Sequence, residues 1–151
     1  MRFLIDGSRA RLVERWQQWP DGVCGQLITP LTNYTRASNV YAIDNGAFSG
    51  FDVKRFQSLL ARNRDSRGLC LFVAIPDKVG CHVATLAMFH QYAPLCAGWP
   101  LAFVLQDGCD SVPDGVSALF VGGTTAFKDS AETLQIVRWE WQRVITCMLA
   151  G

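Results

Sequence analysis

Two aspartates and a glutamine close apolar runs in this chain, and each hands over to glycine within a few residues. Tyr41, Ala42 and Ile43 meet Asp44 ahead of a turn holding Asn45, Gly46, Ser49 and Gly50. The run from Cys70 to Ile75 ends at Pro76 and Asp77, and the run from Leu101 to Leu105 ends at Gln106, Asp107 and Gly108. A further run, Ala118 to Val121, ends at Gly122 and Gly123. Carboxylates accept hydrogen bonds and exchange protons, an amide both donates and accepts, and glycine lets a ligand approach the backbone. Taken singly, each group has a plainer reading: Asp44 as a turn former, Asp77 as a helix cap, Gln106 with Asp107 as loop, and the glycine pair as a turn. Their shared placement at the ends of apolar runs points instead to one pocket, because rigid strands aim side chains and the loops after them bind ligands.

The elements needed to position these groups are legible from periodicity. Met1–Asp6 is a short strand candidate, followed by Leu12, Val13 and Trp16 at helical spacing until Pro20 and Gly22. The segment around Leu27 and Ile28 reads as a strand stopped by Pro30, and the polar stretch with Thr32, Asn33, Thr35 and Ser38 reads as a loop on the strand-end face. Asp52 stands where an N-cap belongs, ahead of Val53, Phe56, Leu59 and Leu60. That helix is expected to end near Asn63, with Arg62, Arg64 and Arg67 forming a solvated cluster around its C-terminus, away from the strand ends. A helix over His82–Tyr92 carries Val83, Leu86, Met88 and Phe89, and a last helix capped by Asp129 or Ser130 carries Leu134, Val137, Trp141, Ile145 and Leu149.

Uninterrupted apolar strands alternating with amphipathic helices imply an α/β protein with a parallel sheet covered on both faces. A doubly wound sheet and a β/α barrel share this local pattern. Polar or glycine endings on several consecutive strands favour the barrel, since a doubly wound sheet gathers its chemistry at one switch point. Neither of the two common glycine-rich phosphate-binding signatures is present, which removes support for a nucleotide-cofactor enzyme.

The chain has 151 residues, 50% of them apolar, and a formal net charge of +1, the dimensions of one domain with a core and no bulk polyanion-binding character. No secretory leader or membrane span is read, so the expectation is a cytoplasmic protein. The cysteines, Cys24, Cys70, Cys81, Cys96, Cys109 and Cys147, lack the close pairing of a zinc knuckle and are expected as free thiols, several of them in the core. His82 and His90 lie about two turns apart on one helix, too far to share a metal, and are expected as surface or helix-face residues. No metal or cofactor is implied.

The motifs D-N-G-A-F-S-G-F (Asp44–Phe51), V-A-I-P-D-K-V-G (Val73–Gly80), F-V-L-Q-D-G (Phe103–Gly108) and L-F-V-G-G-T-T-A-F-K (Leu119–Lys128), in this order, resemble the tRNA-guanine transglycosylase superfamily. The resemblance is nearest to its phage and bacterial DNA-modifying branch, which inserts 7-deazaguanine bases into DNA, and it covers about Gly25 to Lys128. It implies a TIM-type β/α barrel and a pentosyltransferase that exchanges guanine in a polynucleotide, DNA or tRNA, for a free 7-deazaguanine. Asp44 then takes the place of the acid/base carboxylate. Asp77 takes that of the carboxylate facing the amino-pyrimidinone edge, Gln106 that of the amide donating to the base carbonyl, and Gly122 and Gly123 those of backbone groups beside that carbonyl. Phe48 or Tyr41 would stack on the base, and Lys128 reads as a solvated lysine. The family's nucleophilic aspartate and the zinc site of its tRNA-modifying members belong to later strands that are not read here. The expectation is therefore a single truncated domain over 1–151 with about five of eight barrel strands. It would act as the base-binding part of such an enzyme or, alternatively, as a non-catalytic half-barrel or relic that pairs with itself or with a partner chain; an unrelated barrel hydrolase with Asp44 and Asp77 as paired carboxylates is a third reading.

Overall fold

The computed structural model describes residues 3–7, 9–18, 24–31, 36 and 40–149. The predicted polar loop with Thr32, Asn33, Thr35 and Ser38 lies outside the described residues, as do Pro20 and Gly22. Six strands alternate with helices: β1 (Phe3–Asp6), α1 (Arg9–Trp16), β2 (Cys24–Ile28), β3 (Tyr41–Ile43), α2 (Val53–Arg62), β4 (Cys70–Ala74), α3 (His82–Tyr92), β5 (Leu101–Leu105), β6 (Val116–Val121), α4 (Thr125–Lys128) and α5 (Ala131–Leu149). All five strand pairings are parallel, and the order in space, β1-β2-β3-β4-β5-β6, repeats the order in sequence. Among the described residues the order shows no reversal of the kind that makes a switch point in a doubly wound sheet. The α/β architecture is compatible with part of an α/β barrel, with one strand more than the expected count of about five.

Strand alternation sorts the side chains onto two faces. Tyr41 and Ile43 on β3, Val73 on β4 with Ile75 just after it, and Phe103 and Leu105 on β5 form the main core with Phe56, Leu59 and Leu60 of α2 and Phe89 of α3. The opposite face carries small residues, with Ala74, Ala102 and Ala118 in register across three strands, and then Val104 opposite Phe120 nearer the strand ends. Two irregularities keep the faces consistent. Tyr41 pairs with Cys70 and Ile43 with Val73, so an extra residue in β4 turns Cys70 and Val73 the same way. Leu101 pairs with Val116 and Ala102 with Ala118, the same device in β6.

The helices form where their caps and apolar stripes predict. Asp52 Oδ1 accepts from the N–H groups of Lys54 (3.0 Å) and Arg55 (3.1 Å) at the start of α2. At its end the Asn63 side chain donates to Leu59 O at 2.9 Å. Arg62, Arg64 and Arg67 lie around that terminus and the 3₁₀ segment leading into β4, at the opposite end of the sheet from Asp44 and Asp77. α3 occupies the expected span, buries Phe89 and packs Leu86 on the core as expected, but His82 and Thr85 are buried beside them, whereas Val83 is 77% exposed. Thr85 takes an inward position because its hydroxyl donates to Cys81 O at 2.9 Å and accepts from the Lys78 N–H at 3.0 Å. In α5, capped by the Ser130 hydroxyl at 3.1 Å from the Thr133 N–H, Thr133 is buried and Ile136 and Val137 pack on the core, while Leu134 is 56% exposed. Among the described cysteines, Cys24, Cys70, Cys96 and Cys109 are buried free thiols and Cys81 is exposed. No helix among the described residues is long and apolar enough to cross a membrane.

Phe56 is completely buried and meets Phe51 edge to face, with ring centroids 5.5 Å apart. Truncating it leaves a cavity between α2 and the sheet, so Phe56→Ala is expected to cost about 3–5 kcal/mol in urea denaturation. A loss below about 1 kcal/mol would contradict the packing described.

Candidate functional site

Each polar group singled out in the sequence follows the last residue of its strand: Asp44 after β3, Gln106 after β5 and Gly122 after β6, with Asp77 three residues beyond β4. Parallel strands in sequential order deliver those ends side by side. Asp44, Phe48, Asp77, Gln106, Gly122 and Gly123 all line one open cleft of about 270 Å³. That is near the lower end of small-molecule sites, about 300–1,000 Å³. Val104 and Phe120, partners in the sheet register, contribute its apolar wall. Lys128 supplies its one cationic side chain among the described residues.

Asp77 is the most constrained of these groups. Its Oδ1 accepts from Asn45 Nδ2 at 2.9 Å and its Oδ2 from Gln106 Nε2 at 2.7 Å. Gln106 Oε1 in turn accepts from the Gly80 N–H at 2.8 Å. Three successive strand ends are tied through one carboxylate. Asp77 therefore does not cap α3, whose N-cap position is Cys81. Asn45, expected from the sequence only as part of the turn, joins this network and also makes the turn bond that the plainer reading gave to Asp44: its Oδ1 accepts from the Ala47 N–H at 2.6 Å. The available signal was that Asn, next to a glycine, often bonds to the backbone two residues ahead.

Burial pushes the Asp44 carboxyl above its ordinary 3.8, opposed by backbone N–H contacts from Asn45 and Gly46, while the nearby charges of Asp77 and Asp6 push it further up. Asp77 is also raised, by burial, against the lowering effect of the Asn45 and Gln106 hydrogen bonds. The two carboxylates have different surroundings: Asp77 has an amide donor on each oxygen, whereas Asp44 feels the charge of Asp77. Both carboxyls are thus pushed toward their protonated forms, Asp44 with the added push of a neighbouring anion.

The glycine pair has a steric role. A Cβ on Gly122 would stand 2.7 Å from Gln106 Nε2 and 2.8 Å from Val104 Cγ1, so glycine there is what lets the amide lie over β6. Gly123, at φ 83°, would bring a Cβ to 2.6 Å from Asp107 Oδ2. The Gly122 N–H is committed to Leu105 O at 3.0 Å, continuing the β5–β6 ladder. Asp107 is structural: it accepts from the Thr124 N–H at 2.8 Å and the Thr124 hydroxyl at 2.5 Å.

Two expectations need correction. Tyr41 cannot stack on a ligand, because it is fully buried in the core with its hydroxyl 3.2 Å from Ser66 O; Phe48, 92% exposed at the cleft, is the aromatic that can. His82 is not a surface residue, because it packs beneath α3 with its ring edge to face against Phe103 at 5.9 Å. No family model matches the chain, and comparisons with curated proteins and with solved structures find no match.

The pH dependence of stability follows from the raised carboxyl of Asp44. A folded-state pKa above the unfolded value contributes stability that is complete below the unfolded value and lost as pH rises through the folded one. Asp44→Asn removes that loss. The variant is expected to be more stable than wild type at about pH 7 and to show a shallower fall in stability as pH rises above about 4 in denaturant titrations. A fall as steep as that of wild type would contradict the assignment.

Proposed function

We propose that the cleft binds a guanine-type base, guanine itself or a 7-deazaguanine, and that the chain is the base-recognising part of a transglycosylase-like protein of 7-deazaguanine modification in DNA or tRNA. The observation that carries this reading is the pairing of Asp77, an acceptor carboxylate, with Gln106, whose amide has a second N–H beyond the one given to Asp77. The edge of guanine presents two adjacent N–H donors and a carbonyl. Asp77 accepts from the donors, and the spare N–H of Gln106, with the backbone of Gly123, serves the carbonyl. Gly122 contributes space rather than a donor, because its N–H is already used. Phe48 covers the exposed face of the base, and Lys128 lies where a sugar phosphate can reach it.

In this reading Asp44 is the acid/base group. When the glycosidic bond breaks, the departing base nitrogen takes a proton, and a carboxyl raised by burial and by a neighbouring anion holds one to donate. Exchange through a covalent intermediate also needs a nucleophilic carboxylate at the sugar carbon. Among the described residues, Asp44 and Asp77 are the carboxylates that line the cleft, and both already have roles. Base recognition is therefore the activity we assign to this chain, in the cytoplasm, within a TIM-type barrel of which the six strands form part.

A second reading, a non-catalytic half-barrel that joins a second copy or a partner chain, is favoured by the outer strands β1 and β6, each paired on one side only among the described residues.

Calorimetric titration of the chain with guanine and a 7-deazaguanine is expected to give micromolar binding for both, since they share the recognising edge. Asp77→Ala is expected to weaken it by about tenfold to a hundredfold, the worth of hydrogen bonds to a charged group. Absence of binding to folded wild type, or equal binding of adenine, whose edge reverses the donor pattern, would overturn the assignment.

A further inference from the structure

Asn45 follows β3, yet its side chain works at the end of β4. It is 4% exposed, and every hydrogen-bonding atom of its amide is used: Nδ2 donates to Ile75 O at 3.1 Å and to Asp77 Oδ1 at 2.9 Å, while Oδ1 accepts from the Ala47 N–H at 2.6 Å. A flipped amide would set its oxygen against two acceptors and its NH₂ against a donor, so the orientation is unique. On the far side of the same carboxylate, Gln106 is fixed equally well, donating to Oδ2 at 2.7 Å and held through Oε1 by the Gly80 N–H at 2.8 Å. One amide on each oxygen fixes the plane of the Asp77 carboxylate and leaves each oxygen with further acceptor capacity. Remove either amide and the carboxylate is free to rotate about its last torsion, which is broad and has no deep well of its own.

We infer that Asn45 is a positioning residue: it fixes the Asp77 carboxylate so that the cleft prefers a ligand edge offering two adjacent N–H donors over one offering a single donor. This rests on the base-binding reading above. Asn45 need not touch the base; it acts through Asp77. The charged or titratable side chains around this carboxylate are Asp44 and Lys128, which line the cleft with it, and Asp6, whose charge reaches Asp44.

A merely structural role, holding the turn at Ala47, makes a different prediction. Serine at position 45 can still accept from the Ala47 N–H but is too short to reach Asp77. The test combines two measurements on wild type, Asn45→Ser and Asn45→Ala: carboxyl ¹³C titration of the ligand-free protein, and calorimetry with guanine and with hypoxanthine, which lacks the second donor. The Asn45 hydrogen bond lowers the Asp77 pKa, so its loss is expected to move the Asp77 midpoint upward in both variants. Wild type is expected to prefer guanine by about tenfold or more, and both variants by no more than about threefold. An unmoved midpoint, or an unchanged preference in Asn45→Ser, overturns the inference, and that variant decides the matter if Asn45→Ala fails to fold. If wild type binds neither base while the midpoint moves, the guanine reading fails and the positioning of Asp77 by Asn45 stands. If wild type binds guanine and the midpoint is fixed, the reverse holds.

Discussion

A carboxylate taken half out of water must be given hydrogen-bond donors or it will hold a proton instead. Asp77 receives its donors from two other strand ends, Asn45 after β3 and Gln106 after β5, at 2.9 Å and 2.7 Å. That requirement binds three loops that would otherwise move independently. It propagates outward: Gln106 can donate to Asp77 because Gly80 holds its oxygen, and it has room because Gly122 carries no Cβ. Removing the Asp77 carboxylate takes this partner from the buried amides of Asn45 and Gln106, which is costly in a low-dielectric site.

The network depends on sheet order. β3, β4 and β5 are neighbours in space because they are neighbours in sequence, and all three point the same way. Their residues on the helix-covered face, with Tyr41, Ile43, Val73 and Phe103 among the most deeply buried, anchor α2 and α3. The opposite face carries Ala74 and Ala102 in register, and polar residues follow the strand ends. The irregularities in β4 and β6 preserve this division, since a slip of one residue would exchange the faces. The same strands thus present a water-excluding surface to the helices and a polar rim to the cleft, and the packing of the first holds the groups of the second in place.

Much of this was readable in the chain itself. The strands were legible because apolar runs such as Leu101–Leu105 have no polar break, and α2 because Asp52 caps a regular apolar stripe. Asp44, Asp77, Gln106 and both glycines were legible as one pocket because all follow apolar runs, Phe48 entered only with the family resemblance, and the structure brings all of them to one cleft. Three features escaped. Asn45 read as a turn residue, since its partner Asp77 lies 32 positions away. Tyr41 looked available for stacking, but its face of β3 is set by pairing with β4, which no local pattern records. The stripe of α3 was legible at Phe89 and Leu86, but Thr85 and His82 were missed, being polar residues whose buried positions depend on tertiary partners, and the exposed Val83 was wrongly included.

The central claim is that the strand ends of β3 to β6 form one ligand site built around the clamped Asp77. The most direct measurement is ¹H–¹⁵N chemical-shift mapping of the labelled chain during titration with guanine. The account predicts saturable shifts confined to the amides around the cleft: Asn45 and Ala47, Asp77 and Gly80, the Gln106 side-chain NH₂, and Gly123. Shifts centred instead on the Arg62–Arg67 end of the sheet, or scattered without saturation, would contradict it.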